Sequence, residues 1–456
     1  GVLISFPNVA VVVGAVGVAV VLGYALTGIG TAAYFRRLAA DDEGQMILPV
    51  SKIRQQDGLH TKNAPLERSK SILVLGESGS GKTESMRLMV NQMQSEPEEP
   101  FVVFDYKNEF REDIFADDEY IHLSLRDSGV KWNLFQEAED ERDLREFGRM
   151  LFPEDDESEN VFFERGARQI FVAVTRLMYR QFDNPDNAHI QTVFREHTFR
   201  TIGDEFDGHP DLIGNIQEYL DEENPRTSQS VFAFVTQTIE DVFIDDFAAE
   251  SGEFSIREYM ADPAGQKLIL DIPQQNTQSV APAFRFFIDQ AIKQSLQDGS
   301  RNAYFLLDEF ARVPSLDQIE NLTGAGRAMG AQAILGLQGI SQLRRHYDED
   351  YANDILAGVT QEILMRPSDQ QTVEHIQSRT GEHEDTTRRE KPKTFFESAF
   401  ESDGLGTGSI QKSYDTRYLI QTSELQRFND GEAIIMTTDG WQRAQLPMWH
   451  QLSKGA

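Results

Sequence analysis

Residues 71–83 read SILVLGESGSGKT. Its first part is a short apolar run, as expected of a buried parallel strand. The glycines after it let backbone N–H groups curl around a phosphate, and the helix-like stretch that follows adds partial positive charge at its start. The candidate phosphate-binding residues are Gly76, Glu77, Ser78, Gly79, Ser80, Gly81, Lys82 and Thr83.

Strand-like runs continue along the chain and alternate with helical segments. The predicted strands are residues 101–105, 268–270, 303–307, 331–337 and 361–365, with edge strands at 433–437 and 444–449. Predicted helices at 283–296 and 316–329 lie between them. This alternation indicates an α/β fold with a mostly parallel sheet and helices on both faces. Residues 379–414, rich in Gly, Ser and charge, are expected to form a mobile loop.

A long helical stretch interrupts this alternation. Phe163, Ile170, Val174 and Met178 recur at helical spacing, with Arg165, Arg168 and Arg176 between them. We therefore expect an inserted all-helical domain at 134–255. It separates a first part of the sheet domain at 71–133 from a second part at 256–456, and residues 38–70 are interpreted as a linker and lead-in.

An acidic pair follows the predicted strand at 303–307. In a phosphate-binding site of this kind, Asp308 is expected to hold Mg²⁺ together with the Thr83 hydroxyl. Glu309 is expected to orient and polarise the attacking water. The adjacent glutamate favours ATP hydrolysis over phosphate transfer, although an Asp-Glu pair can also cap a turn.

Further polar residues lie where a γ-phosphate would be. Gln338 follows the strand at 331–337, at the edge of the sheet where ligands bind in α/β folds. Arg327, between glycines, is a candidate finger from a neighbouring subunit, and Arg312 is its rival. Asp105 and Lys107 end the second strand and line either the nucleotide site or a subunit boundary, unless they belong to a solvated loop.

Composition limits the other chemistry. The chain has no cysteine, and its nine histidines show no metal-binding spacing, so thiol chemistry is excluded and a structural metal is not expected. The 456 residues carry a formal net charge of -32. Acidic residues spread along the whole chain favour adaptation to concentrated salt over simple avoidance of nucleic acid.

The N-terminal 35 residues contain no charged side chain. Residues 9–33 are long enough to cross a bilayer as a helix, and Arg36 and Arg37 follow at once. We therefore expect residues 1–37 to form a transmembrane anchor, with the rest of the chain on the cytoplasmic side. A cleaved signal peptide is the alternative, but its basic start and short apolar stretch are missing.

Four segments together resemble the coupling-protein ATPases of conjugation and type IV secretion, the TraG/TraD type within the HerA–FtsK group of motors. They are LGESGSGKT (75–83), VVFDYKNEF (102–110), FLLDEFARVPSLDQIENLTGAGRAMGAQAILGLQGISQL (305–343) and ILMRPSDQQTVEHIQSRTG (363–381). The resemblance covers roughly residues 71–449. With the acidic composition, it suggests a haloarchaeal member.

The resemblance implies a RecA-like P-loop NTPase that binds ATP and Mg²⁺. In this family the motor is a homohexamer attached to the membrane, and it moves DNA or a relaxase–DNA complex to the proteins of a secretion channel. Asp308 and Glu309 match the Walker B pair, Gln338 the glutamine sensor, and Arg327 the arginine that acts across subunits. The helical insertion matches the domain that faces incoming substrate. Members usually show two membrane helices, whereas one is visible here.

Three alternatives stay open. The ATPase could translocate protein only, act as a HerA-like DNA helicase or packaging motor, or bind nucleotide merely to assemble a ring.

No strong basic groove is visible in the sequence. Two local clusters could touch DNA phosphates or be solvated charges: Arg388, Arg389, Lys391 and Lys393, and separately Arg344 and Arg345.

Overall fold

A computed structural model describes most of the chain from residue 45 onward. The described residues are 45–49, 52–55, 63–93, 98–111, 120–124, 128–153, 160–248, 250–272, 277–297, 299, 301–313, 315–390 and 410–449. The predicted anchor at 1–37 lies outside them. In the part of the chain that is described, no helix has the length and apolar character needed to span a bilayer.

The strands and helices alternate as the sequence predicts. The strands are β1 (Gln45–Pro49), β2 (Lys52–Gln55), β3 (Asn63–Glu67), β4 (Ile72–Leu75), β5 (Phe101–Phe104), β6 (Tyr120–Ser124), β7 (Lys267–Asp271), β8 (Ala303–Leu307), β9 (Ala331–Leu337), β10 (Gln361–Leu364), β11 (Glu382–Glu390), β12 (Ile410–Tyr418), β13 (Glu432–Thr437) and β14 (Gly440–Gln445). The α-helices are α1 (Lys82–Met93), α2 (Leu134–Glu137), α3 (Glu141–Leu151), α4 (Val161–Gln181), α5 (Asn187–Glu196), α6 (Pro210–Ile213), α7 (Pro225–Val242), α8 (Ile256–Ala261), α9 (Thr277–Gln297), α10 (Ile319–Gly324), α11 (Ile340–His346), α12 (Glu349–Gly358), α13 (Gln370–Thr380) and α14 (Thr422–Leu425).

One ten-stranded sheet organises the molecule. Its order is β2-β14-β13-β10-β4-β9-β8-β5-β7-β6. From β10 to β6 all neighbours run parallel, whereas β13, β14 and β2 join antiparallel at one edge. The predicted α/β fold with a mostly parallel sheet is confirmed. The last edge strand begins earlier than predicted because a two-residue turn at Thr438 and Asp439 leads directly into Gly440 (φ 128°), which pairs with Thr437.

Side chains of the central strands alternate between two apolar cores, one on each face of the sheet. Ile72 and Val74 of β4 pack in one core with the methionines of α1. Leu73 and Leu75 point to the other core, which continues into the helical region. Because successive residues of a strand face opposite sides, these continuous apolar runs require helices on both faces.

Every described element from α2 to α8 is helical. This helical region packs on α9 of the sheet domain through the buried Trp132, whose ring lies 4.9 Å from that of Phe287 and 5.5 Å from that of Phe286. Glu137 is also buried there and accepts hydrogen bonds from Trp132 Nε1 (2.9 Å) and from the backbone N–H groups of Ile256 (2.6 Å) and Arg257 (3.1 Å). We refer to Trp132, Glu137 and these two N–H groups as the Trp132 joint.

The mobile loop expected at 379–414 is wrong for its described part. Residues 382–390 and 410–418 form β11 and β12, an antiparallel ribbon with register Glu382↔Tyr418 to Glu390↔Ile410. The pairing rests on backbone hydrogen bonds between polar segments, so apolar periodicity gives no sign of it. Likewise, residues 38–70, interpreted as a linker, contain the three strands β1 to β3.

Candidate nucleotide site

The glycine-rich loop connects β4 to α1 at the carboxyl edge of the sheet. Gly79 and Gly81 have φ values of +81° and +107°, which side-chain-bearing residues rarely adopt. Neighbouring strands fix the loop: Gly76 N–H donates to the Leu337 carbonyl (3.0 Å), and Glu77 N–H to that of Arg366 (2.8 Å). The loop therefore has the backbone shape that a phosphate group requires.

Lys82 is buried at the base of this loop. Its Nζ donates to the Glu77 carbonyl oxygen at 3.2 Å. Burial lowers the pKa of Lys82, and the charges of Glu309 and Asp308 oppose that shift. The Lys82 ammonium therefore interacts electrostatically with both carboxylates. Thr83 follows in the first turn of α1 and is half-buried.

Asp308 lies fully buried just past the end of β8. Its Oδ1 accepts a hydrogen bond from Glu309 N–H (3.0 Å), while Oδ2 has no hydrogen-bond partner among the described residues. Burial, and then the charge of Glu309, raise the pKa of Asp308 to about 7. A buried carboxylate oxygen without a donor suits a hard cation such as Mg²⁺, which binds through few carboxylates together with phosphates.

Glu309 is held from two sides. Lys107 Nζ donates to Oε1 (2.8 Å), and Gln338 Nε2 donates to Oε2 (2.7 Å). Burial acts to raise the pKa of Glu309, but Lys107, Lys82 and Gln338 together lower it, so the side chain is an ionised carboxylate near neutral pH. Its backbone is left-handed (φ 51°), a strained conformation that concentrates at functional sites.

The structure thus places Gln338 and Lys107 at the acidic pair. Asp105, in contrast, contacts its own loop. It is buried and accepts hydrogen bonds from the N–H groups of Glu109 (2.9 Å), Phe110 (2.9 Å) and Arg111 (3.1 Å). Burial raises the pKa of Asp105. This carboxyl group shapes the turn that presents Lys107.

The two candidate finger arginines lie at different ends of the sheet. Arg327 is exposed in the 3₁₀ turn Gly326–Met329 before β9, whereas Gln338 follows that strand. The seven residues of β9 separate them by about 20 Å. Arg312 is nearer, three residues after Glu309, with its guanidinium 5.9 Å from the ring centre of Tyr106.

Arg366 is a functional candidate that the sequence patterns did not single out. It forms an ion pair with Glu77 of the loop and donates to the Phe428 carbonyl (2.8 Å) and to Asp430 (3.0 Å). Nearby, Gly431 N–H donates to the Ser80 carbonyl (2.8 Å). Arg366 lies just past the buried parallel strand β10, where ligand sites form, and this position in the sequence is the signal that would have found it.

The basic clusters stay predictions. Arg344 hydrogen-bonds Asn353 (3.2 Å), and with Arg345 it lines a shallow cavity on α11. Arg388 and Arg389 fall on β11, whose side chains there are outside the described structure, and Lys391 and Lys393 lie outside the described residues.

A parallel sheet with a glycine loop, a buried lysine and an acidic pair at its carboxyl edge defines a RecA-like P-loop NTPase. Within that class, the family model described as "Type IV secretion-system coupling protein DNA-binding domain" matches residues 63–448. The chain belongs to this family. The resemblance stated from the sequence is confirmed.

Individual relatives are distant but cover most of the chain. Coupling protein TraD of Escherichia coli (strain K12) is 21% identical over 429 residues, which are 88% of this chain and 56% of TraD. The chain therefore spans little more than half the length of that relative.

Solved structures agree in fold. The bacterial conjugative coupling protein TrwBΔN70 in its unbound form superposes with a TM-score of 0.66 at 18% identity, covering 92% of each chain. TrwB in complex with ADP and Mg²⁺ gives 0.66 at 18% identity, over 92% of this chain and 94% of TrwB. VirB4 of Thermoanaerobacter pseudethanolicus gives 0.52 at 11% identity, over 89% and 97%.

Proposed function

We propose that this chain hydrolyses ATP at the edge of the sheet and uses the energy to move DNA. The observation that carries the proposal is the Glu309 carboxylate, kept ionised between Lys107 and Gln338 beside an Asp308 oxygen that has no hydrogen-bond partner among the described residues. Solved TrwB complexes with an ATP analogue and with ADP and Mg²⁺ support the same ligands here.

Each group has a role that follows from its position. The N–H groups of residues 76–83 surround the phosphates, and Lys82 neutralises their charge. Thr83 and Asp308 hold Mg²⁺, which when bound compensates the negative charge that develops on the phosphate oxygens.

Glu309 acts on water. It accepts a hydrogen bond from the water and receives its proton as the oxygen attacks the γ-phosphorus. The bond between that phosphorus and the β–γ bridging oxygen breaks, giving ADP and inorganic phosphate. Gln338 fixes the orientation of Glu309 and places an amide beside the γ-phosphate.

The assembled protein follows from the family. We propose a homohexamer in which Arg327 of one subunit completes the site of its neighbour, because within one subunit β9 separates it from Gln338. Residues 1–37 attach the ring to the cytoplasmic side of the membrane. The ring delivers DNA or a relaxase–DNA complex to a conjugation or type IV secretion channel.

The test is the ATPase rate of the full chain in detergent, at low and at molar KCl, with single-stranded DNA, double-stranded DNA or neither. Glu309→Gln keeps the shape of the side chain but removes the base, and Glu320→Gln, an exposed residue of α10, is the matched control. We expect DNA to stimulate the wild type and the control, and Glu309→Gln to lose about a hundredfold or more.

Two results would overturn parts of the proposal. Hydrolysis that ignores both forms of DNA in samples shown to contain rings would favour the motor that moves only protein. Full ATPase activity in Glu309→Gln would remove the assigned base. No hydrolysis by the wild type under any condition would favour a nucleotide that merely assembles the ring.

A further inference from the structure

A cavity of about 310 Å³ opens on the helical region, between α3 and α4. None of the residues that line it is assigned to the nucleotide site. The polar side chains that line it are Arg145, Arg149, Arg168, Gln169, Arg176 and Asn215.

Close packing of the two helices forms the floor. Gly148 of α3 lies against α4 so tightly that an added Cβ would meet Val172 Cγ2 at 2.4 Å. Val172 and Ala173 line the bottom of the cavity. On α3, Arg145 and Arg149 stand one turn apart, so both reach the same opening.

The charge of the lining contrasts with that of the chain. The formal net charge of the protein is -32, yet four arginines and, among the described residues, no acidic side chain line this cavity. The charge of Arg176 is partly compensated by an ion pair with Glu141, in which Nη2 of the arginine lies 2.7 Å from Oε2 of the glutamate. Burial, and then the guanidinium of Arg149, lower the pKa of Arg168. Gathering like charges costs free energy that a bound anion offsets.

The same face of α4 continues beyond the cavity to an aromatic side chain. Gln169, Val172 and Arg176 recur every three or four residues, and this spacing extends back to Arg165 and Phe162. Phe162 is 44% exposed, and its ring centre lies 5.3 Å from that of Tyr219. An exposed ring next to arginines is the pattern on which unpaired bases stack.

We propose that this surface, the arginine cavity with Phe162 beside it, binds single-stranded nucleic acid. The arginines hold the phosphates, and Phe162 stacks on one base. The inference rests on the proposed function and names the form of DNA that the helical region contacts. An acidic peptide would satisfy the arginines but would leave the exposed ring without a role.

The experiment measures binding of short fluorescent single strands of two unrelated sequences to the full chain. Arg149→Glu and Phe162→Ala are the test variants. Arg142→Glu, on the same helix but 87% exposed and outside the cavity, controls for charge. Phe182→Ala, exposed at the end of α4, controls for loss of an exposed ring.

We expect each test variant to weaken binding of both sequences about tenfold, and the controls to stay close to wild type. Arg149→Gln should also lower the slope of log affinity against log salt by about 0.7, since one phosphate contact is lost. Basal ATPase activity should not change.

Three outcomes would overturn the assignment: test variants that match their controls, duplex DNA bound more tightly than single strands, or polyglutamate that displaces the strand at equal charge concentration. The last would assign the cavity to acidic peptides. These failures differ from that of the proposed function, which would show as an absence of DNA stimulation in the wild type.

Discussion

Two buried carboxyl groups, Glu137 and Asp308, have the same burial but opposite surroundings. Both are almost completely shielded from solvent, and burial raises the pKa of each to about 7. At the Trp132 joint, however, Glu137 receives three N–H donors. At the sheet edge, Asp308 receives one, and its second oxygen has no partner among the described residues.

The difference lies in donor count, not in burial or in pKa. A carboxylate whose oxygens are satisfied by its own chain stabilises a fold, whereas one that lacks donors needs something from outside. The Trp132 joint is complete within one chain. The sheet edge is incomplete without a ligand and, by our proposal, without a neighbouring subunit.

The largest effect is expected from removing the arginine that, by our proposal, one subunit supplies to the nucleotide site of its neighbour. Arg327→Ala should lower the ATPase rate about a thousandfold if the guanidinium completes a neighbouring site, because transition-state charge loses its counter-ion. Arg301→Ala, exposed at the same end of the sheet, should not. Mixed rings of Arg327→Ala and Glu309→Gln subunits should recover activity. Mixed rings as inactive as the two parents would rule out action across subunits.

A second substitution removes the carboxylate acceptor of the Trp132 joint. Glu137→Ala leaves Trp132 Nε1 and two backbone N–H groups buried without an acceptor, so the free energy of unfolding should fall by about 3 kcal/mol or more. Urea denaturation measures this. The neighbouring Glu139→Ala, 72% exposed in its ion pair with Arg257, should change stability by no more than about 0.5 kcal/mol. Equal effects at the two positions would contradict the joint's role.

A third substitution removes one of the two groups that hold Glu309. Lys107→Met should lower kcat about tenfold with little change in KM for ATP, because Glu309 loses a hydrogen bond and its charged partner. Lys293→Met is the control: it removes an ion pair of similar length (2.5 Å) with Glu146, remote from the site. A rise in KM alone would place Lys107 in ATP binding instead.

The smallest expected change in stability comes from making at Asp308 the same substitution as at Glu137. Asp308→Ala should abolish hydrolysis yet stabilise the ligand-free protein by about 1 kcal/mol at pH 8, since it removes a desolvated charge. The folded pKa of about 7 exceeds the usual 3.8, so the wild type loses stability as pH rises between these values. The extra stability of Asp308→Ala over the wild type should therefore grow from about pH 4 to pH 7 and level off above pH 7. A variant less stable than wild type at pH 8 would refute this.

The sequence predicted what depends on local pattern. The apolar run at β4 and the glycines after it specify a strand and a phosphate loop with little help from elsewhere, and the Asp308–Glu309 pair follows its strand in the same way. The β11–β12 ribbon was not predicted because its two strands carry no apolar alternation. Contacts between distant segments were not predicted either. Nothing near Glu77 in the chain indicates Arg366, which lies 289 residues away.

Arg366 has a consequence of its own. It ties the phosphate loop to Phe428 and Asp430, directly before the antiparallel hairpin β13–β14, and Gly431 joins the loop again at Ser80. Because the loop has these two anchor points, we expect a displacement of the loop on phosphate binding or release to reach the hairpin, whose first strand lies two strands from β4. We therefore expect the conformation of this antiparallel end of the sheet to depend on nucleotide occupancy.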